Sequence, residues 1–285
     1  MSTLNKLVTW LIVIMIASFA ISGFFFNRYG LHFKGVNIDE VFTQIEHLEE
    51  RTIHEEDIDM SSIKKITIET TSANIELDQK TQDASGMVIL SGTAPEGAVR
   101  LDIDASEDEL TIKVVREDGL LSIKHLQLSV TLPDTINPDI IIDTVSGDAQ
   151  ADIIQSQQFE YNSISGDLES ESLKAKDIKL DTKSGDVHLS SVVGDFELNT
   201  TSGDLYVFYE NFANDVKVES VSGDIRLSFA EPIDFDLDFK TTSGDSDIGV
   251  PVKIKKSEDR EFQATAGDGG NKIEISTVSG DLRIH

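Results

Sequence analysis

Ser-Gly-Asp occurs seven times between Ser146 and Asp281, and the first six copies recur every 18 to 21 residues, at Gly147, Gly166, Gly185, Gly203, Gly223 and Gly244. A fixed period of this length marks a stacked repeat architecture, in which each repeat buries its apolar face only against its neighbours. The flanks keep the same beat. Seven residues before each glycine stand Ile140, Phe159, Ile178, Phe196, Val216, Leu237 and, for the copy at Gly280, Ile273. Five before stand Ile142, Tyr161, Leu180, Leu198, Val218, Phe239 and Ile275; three before is always threonine or serine, and one before is the motif serine. Side chains alternate along a strand with period two, so these four rows are expected on one inward face, as apolar, apolar, hydroxyl, hydroxyl.

Beyond the motif the apolar rows resume two, four and six residues past the glycine, as in Ile225, Leu227 and Phe229. Parity slips by one residue across Gly-Asp, which predicts a corner there. Glycine suits sharply turned backbone, and aspartate hydrogen-bonds the backbone beside it. A two-residue hairpin turn gives the same slip, so an antiparallel meander is the rival of a parallel β-solenoid with two strands per rung. Small inward hydroxyls beside the corner suit a place where two sheets converge, and favour the solenoid. Its register carries a further expectation. The outward residues six before each glycine, Glu160, Lys179, Glu197, Lys217 and Asp238, alternate in charge, and should face one another on rungs about 4.8 Å apart.

Upstream, residues 66–77 copy the motif with Ala73-Asn74 in place of Gly-Asp, and residues 101–103, 110–115 and 126–132 alternate as half-buried strands. Turn signals stand at Ser91-Gly92, Pro95-Glu96-Gly97, Glu107-Asp108 and Asp118-Gly119. The longer gap from Gly244 to Gly280 predicts an added hairpin or loop over residues 253–271, before a terminal strand at 282–284.

Residues 7–26 carry no charge, and as a helix would reach about 30 Å, enough to cross a bilayer core. Ser18 and Ala20 could mark a cleaved signal peptide, but apolar residues continue to Phe26, which favours a retained single-pass anchor. The few flanking basic residues suit an inside N-terminus and an exported remainder. Within an acidic linker at 35–61, Ile38, Val41, Phe42, Ile45 and Leu48 keep helical spacing behind a capping Asn37. Such a helix would plug the first rung, where a solenoid otherwise exposes unpaired edges. The expected organisation is thus an anchor at 1–34, a linker with a capping helix at 35–61 and a solenoid at 62–285.

The chain holds 52 acidic and 24 basic residues, and every acidic one follows Lys34. A body so charged repels nucleic acid and anionic headgroups. Absence of cysteine excludes a disulfide framework, a thiolate metal site and a thiol nucleophile. The six histidines are scattered without triad or ligand spacing. No catalytic residue, metal site or cofactor is expected. Chemistry is most concentrated in the corner aspartates Asp148, Asp167, Asp186, Asp204, Asp224 and Asp245, which would stack rung on rung, and in a second acidic edge at Asp139, Asp177, Asp195, Asp215 and Asp236. Like charges at this spacing in water repel by about 0.9 kcal/mol per neighbour. Backbone N–H groups at each corner would offset this, and so would calcium between rungs. Calcium needs about six to eight oxygens, and only 267–270 approaches a calcium-repeat motif, so the structural role is preferred.

The strand ending in Leu132-Pro133-Asp134, followed by IIIDTVSGD and then TKSGDVHL, TTSGDLYV, SVSGDIRL and TVSGDLRI, resembles the bacterial putative-adhesin family over about residues 62–285. The resemblance implies a right-handed β-solenoid at the cell envelope, with membrane-anchored members in envelope stress, and it brings no catalytic residues. The expectation is a membrane-anchored, extracytoplasmic, non-enzymatic protein with a structural or interaction role in envelope stress or surface attachment. Its partners would be the membrane, envelope proteins or cell-wall polymers. A calcium- or polysaccharide-binding module is the alternative, followed by a polysaccharide-degrading enzyme.

Overall fold

The structure, a computed structural model, describes residues 49–285 apart from 82, 118–122 and 231–232. The apolar run at 7–26 and the helix expected over 38–48 lie outside the described residues. Within them the chain forms 22 strands and no helix.

Each Ser-Gly-Asp separates a strand of one sheet from a strand of a second. Before the motif lie β8 (Asp139–Thr144), β10 (Gln158–Ser163), the end of β11 (Leu168–Ser184), β13 (Val192–Ser202) and β15 (Val216–Ser222), all parallel. After it lie β9 (Ala149–Gln155), the start of β11, β12 (Val187–Leu189), β14 (Leu205–Tyr209) and β16 (Ile225–Phe229), again parallel. Parallel pairing in both sheets excludes the meander and gives the stacked, solenoid-like arrangement. The apolar rows seven and five before the glycine are at most 3% exposed in every rung. Burying each such side chain stabilises the fold by roughly 1.5–3 kcal/mol.

Register is constant through both sheets. Phe159, Ile178, Phe196 and Val216 stand opposite one another in the first, and Leu168, Val187, Leu205 and Ile225 in the second. The differing repeat lengths must therefore be absorbed at the far turn of each rung, away from the motif. Between β11 and β13 the register slips at Lys174 to Asp177, opposite Val193 to Asp195. The shorter side is closed by Gly194, at φ +139.

Chain order and spatial order part at both ends. β2 (Lys65–Thr70) and β3 (Asn74–Thr81), the Ala-Asn copy of the motif, pair with β8 and β9. On their other side they pair with β6 (Glu109–Arg116) and β7 (Lys124–Pro133). Antiparallel β5 (Val99–Ser106) on β6, β4 (Ser85–Thr93) on β7 and β1 (Arg51–Asp59) on β4 complete this end. At the other end the last repeat, β21 (Asn271–Ser279) and β22 (Leu282–Ile284), does not follow β17 (Phe235–Ser243) and β18 (Ser246–Ile248) outward. It slides between them and the rung of β15 and β16. The expected hairpin exists as β19 (Val252–Glu258) and β20 (Glu261–Ala266), and β20 occupies the outer edge of β17. With that edge taken, β17 can pair in parallel only on its inner side.

Four sequence expectations are corrected. Glu160, Lys179, Glu197 and Lys217 do face one another in turn, but Glu274 then intervenes before Asp238. Ser91-Gly92 is no turn: it lies within β4, beside a register shift at Ser91/Thr93. The motif serine does not face inward. Alternation ends at the threonine or serine three before the glycine, and both of the next two residues are exposed, so the corner spans four residues. Part of the segment read as linker, 51–59, is strand β1.

Candidate functional site

The corners hold the side chains that the sequence singled out. In spatial order their residues are Ala73, Gly147, Gly166, Gly185, Gly203, Gly223, Gly280 and Gly244. A Cβ on any of these glycines would collide with the carbonyl oxygen of the preceding one. Gly203 and Gly223 also take φ of +133 and +132, backbone that L-residues rarely adopt. Close approach of successive corners brings each aspartate within reach of its neighbour.

The aspartates form a continuous hydrogen-bonded row. Asp148 Oδ1 accepts the backbone N–H of Asp167 at 3.1 Å, Asp167 that of Asp186, Asp186 that of Asp204 and Asp204 that of Asp224, the last three at 2.8 Å. Asp281 then enters out of chain order: its N–H donates to Asp224 at 3.2 Å, and its carboxylate accepts from Asp245 at 3.0 Å. The donor thus sits in the next rung and not, as the sequence suggested, in the same corner. A hydrogen bond to a charged acceptor contributes roughly 1.5–3 kcal/mol, which outweighs repulsion of about 0.9 kcal/mol from each neighbouring carboxylate. The second acidic edge is also engaged. Asp195 accepts from Asp215 N–H at 3.2 Å, Asp215 from Lys272 N–H at 2.7 Å, and Asp177 lies 3.3 Å from Lys176 Nζ. Lys255 and Thr265 bond Asp236 and hold its carboxyl below the usual range. Among the described residues no three histidine, aspartate or glutamate side chains converge to hold a metal ion.

Corner wiring differs along the stack. Ala73, Gly147 and Gly166 donate their N–H to the hydroxyl of their own rung, Thr70, Thr144 and Ser163, at 3.0, 3.0 and 2.8 Å. Tyr161 supports the third of these corners, donating its O–H to Gly166 O at 2.9 Å; burial pushes the phenol up to about 12. From Gly185 onward the first-sheet strands run on through the motif serine. There Gly185, Gly223 and Gly280 donate to the serine carbonyl of the adjacent rung, Ser202, Ser279 and Ser243, at 3.3, 3.3 and 3.4 Å. The hydroxyls of Thr182, Thr241 and Thr277 are left buried without a partner.

Two outward faces remain. On the first sheet a shallow groove of about 630 Å³ crosses successive rungs. One wall is a polar row in which Asn162 donates to Asp143 at 2.9 Å and Asn199 to Asp181 at 3.0 Å. The other contains Ile164, Lys183, Thr201 and Val221, of which Ile164 and Val221 are each more than 40% exposed. Beside it Lys217 lies between Glu197 at 2.8 Å and Glu219 at 3.0 Å, and hydrogen bonds to these two carboxylates raise its pKa. On the second sheet, the row three residues past the corner changes from acidic to aromatic and basic along the stack, and brings the His188 and Tyr206 rings to 4.5 Å. Sequence reading passed over these residues because it followed rows of repeated chemistry. The same offset count, applied to outward positions, finds them.

Among curated proteins none matches the sequence. Solved structures of low identity do. One is a putative adhesin from Bacteroides fragilis, at 13% identity over 83% of this chain and 97% of that one, with a TM-score of 0.45. A second is a putative adhesin from Parabacteroides distasonis, at 9% identity over 84% and 98%, TM-score 0.43. A third is a putative cell adhesion protein from Clostridium sporogenes, at 12% identity over 82% and 99%, TM-score 0.38. The family model described as Toastrack DUF4097 matches residues 43–285, and the chain belongs to that family.

Proposed function

We propose that this protein is a non-enzymatic binding scaffold, held at the cell membrane by residues 7–26 with residues 49–285 outside, which serves envelope stress or surface attachment. The observation that carries the binding role is the long first-sheet groove, with its polar wall and its exposed Ile164 and Val221. A groove crossing the rungs suits an extended polymer or segment more than a compact metabolite. The corner aspartates, whose row is bonded to backbone N–H groups, are read as folding groups and not as a cation edge. Anchoring and export are supported by the uncharged run at 7–26 and by the acidity of everything beyond it.

Two measurements on the full chain in bacterial cells test this. Protease added outside intact cells should degrade the acidic body, and immobilised protein should capture an envelope component whose retention falls when Ile164→Asp is placed in the groove. A body protected from external protease, or capture indifferent to Ile164→Asp, would refute the corresponding part.

A further inference from the structure

The outward row of the second sheet is chemically graded. From the N-terminal side it reads Glu76, Gln150 and Glu169, then, on successive rungs, His188, Tyr206, Arg226 and Arg283, and it ends on Asp247. Tyr206, and Phe208 two residues on, are the aromatic side chains of the described strands that do not belong to the core. The His188 ring tilts 33° against Tyr206, so the two form one continuous surface. The two guanidiniums are held differently. Arg283 bonds Asp224 at 3.1 Å and Asp281 at 3.4 Å. Arg226 makes a looser ion pair with Asp224, through one terminal nitrogen at 3.6 Å, which leaves the other edge of its planar donor fork to solvent. Shallow depressions lined by Gln150, Glu169 and His188 continue the row on its acidic side.

We propose that this stripe is a second binding surface, separate from the first-sheet groove, and that it binds a glycan chain laid across the strands. A sugar ring stacks on Tyr206, edged by His188, and an acid group on the neighbouring sugar takes the fork of Arg226. Rungs repeat every 4.8 Å or so, close to the advance of one pyranose in an extended chain, so successive sugars stay in step with successive side chains. The acidic half of the row, at Glu169 and Glu76, sets the charge spacing. There a neutral sugar is accepted by carboxylate and amide oxygens, and a second acid group is repelled. The ligand therefore carries its acid on alternate sugars.

Calorimetric titration of the full chain with three probes tests this: cellohexaose, which is neutral, a hyaluronan hexasaccharide, acidic on alternate sugars, and a hexagalacturonate, acidic on every one. The hyaluronan probe should bind at least tenfold more tightly than either of the others. Tyr206→Ala and Arg226→Ala should each weaken it about tenfold or more. Arg226→Lys should recover only part of the loss, since a lysine lacks the fork. Ile164→Asp, on the other face, should leave it unchanged. Absence of binding by all three, or binding indifferent to both stripe variants, overturns the proposal. Either result leaves the groove untouched, because envelope capture and its loss on Ile164→Asp are read separately.

Discussion

The early rungs, through Gly166, and the later ones, from Gly185 on, are spelled with the same Ser-Gly-Asp, yet they close their corners in different ways. In the early corners the glycine N–H returns to a hydroxyl three residues back in its own rung. At Gly185, Gly223 and Gly280 the N–H donates instead to a carbonyl one rung away, and two of those carbonyls, Ser279 and Ser243, belong to the rungs stacked out of chain order. A repeated motif thus specifies a shape without specifying its wiring. The C-terminal half is the more cooperative of the two, because the N–H groups of Gly185, Gly223 and Gly280 are satisfied only once the next rung is present.

The largest test of this difference is truncation. Ending the chain after Gly270 removes β21 and β22, and with them Ile273, Ile275, Leu282 and Ile284, all at most 2% exposed. At roughly 1.5–3 kcal/mol each this amounts to about 6–12 kcal/mol, comparable with the stability of a whole domain. It also strips Gly223 of its acceptor. Circular dichroism on heating should show no cooperative native transition from the later rungs, and a melt matching the full chain would break the claim of neighbour dependence.

Alkaline unfolding probes an early corner. Tyr161 is neutral in both states below pH 10.0, and folding raises its pKa to about 12. Its contribution is complete below 10.0 and is lost as pH rises through about 12. Two units correspond to about 3 kcal/mol. Burial also raises Tyr209, so Tyr161→Phe should reduce, and not abolish, the alkaline loss seen by denaturant titration on either side of pH 10. An unchanged pH profile in that variant would count against a buried, corner-bound phenol.

The hydroxyl row separates the halves most cleanly. Thr144→Val leaves the Gly147 N–H without its acceptor and should cost about 1–3 kcal/mol. Thr182→Val removes a buried hydroxyl that has no partner, keeps the volume, and should be neutral or stabilising by up to about 1 kcal/mol. Equal losses at both sites, by chemical denaturation, would erase the distinction between the two wirings. The smallest effect is at the aspartate row, where Asp186→Asn keeps an acceptor and drops a charge, as Asn74 does naturally for Asp148. A gain of a few tenths of a kcal/mol at low salt, fading as salt screens the row, is expected; a loss of 2 kcal/mol or so would mean that the charge itself is needed.

Much of this fold could be read from spacing. The rows of Ile140 to Ile273 and Ile142 to Ile275 are inward because strand periodicity demands it, and the constant offsets placed the corner at the motif. Neighbour relations were less accessible. A period counts rungs without ordering them, and nothing between Gly244 and Gly280 states that β20 takes the outer edge of β17 and forces the last rung inside. The direction of the motif serine was misread for a local reason: alternation fails at Val145, Ile164 and Val221, two residues before the glycine, and not at the glycine. Of the candidate sites, the repeated aspartates were visible because they repeat. The row of His188, Tyr206 and Arg226 was not, because a binding surface on a repeat protein is built from the positions where its repeats differ.

The order of the later rungs can be tested directly, since the chain has no cysteine of its own. Ser222 and Ser279 stand opposite each other on adjacent strands, whereas Ser222 and Ser243 are separated by the Ser279 strand. A disulfide requires Cα atoms about 4.4–6.8 Å apart, which adjacent parallel strands provide and a two-rung gap does not. On mild oxidation, Ser222→Cys with Ser279→Cys should crosslink within the chain, and Ser222→Cys with Ser243→Cys should not. Crosslinking of the second pair with failure of the first would show that the rungs stack in chain order and contradict the interleaved end.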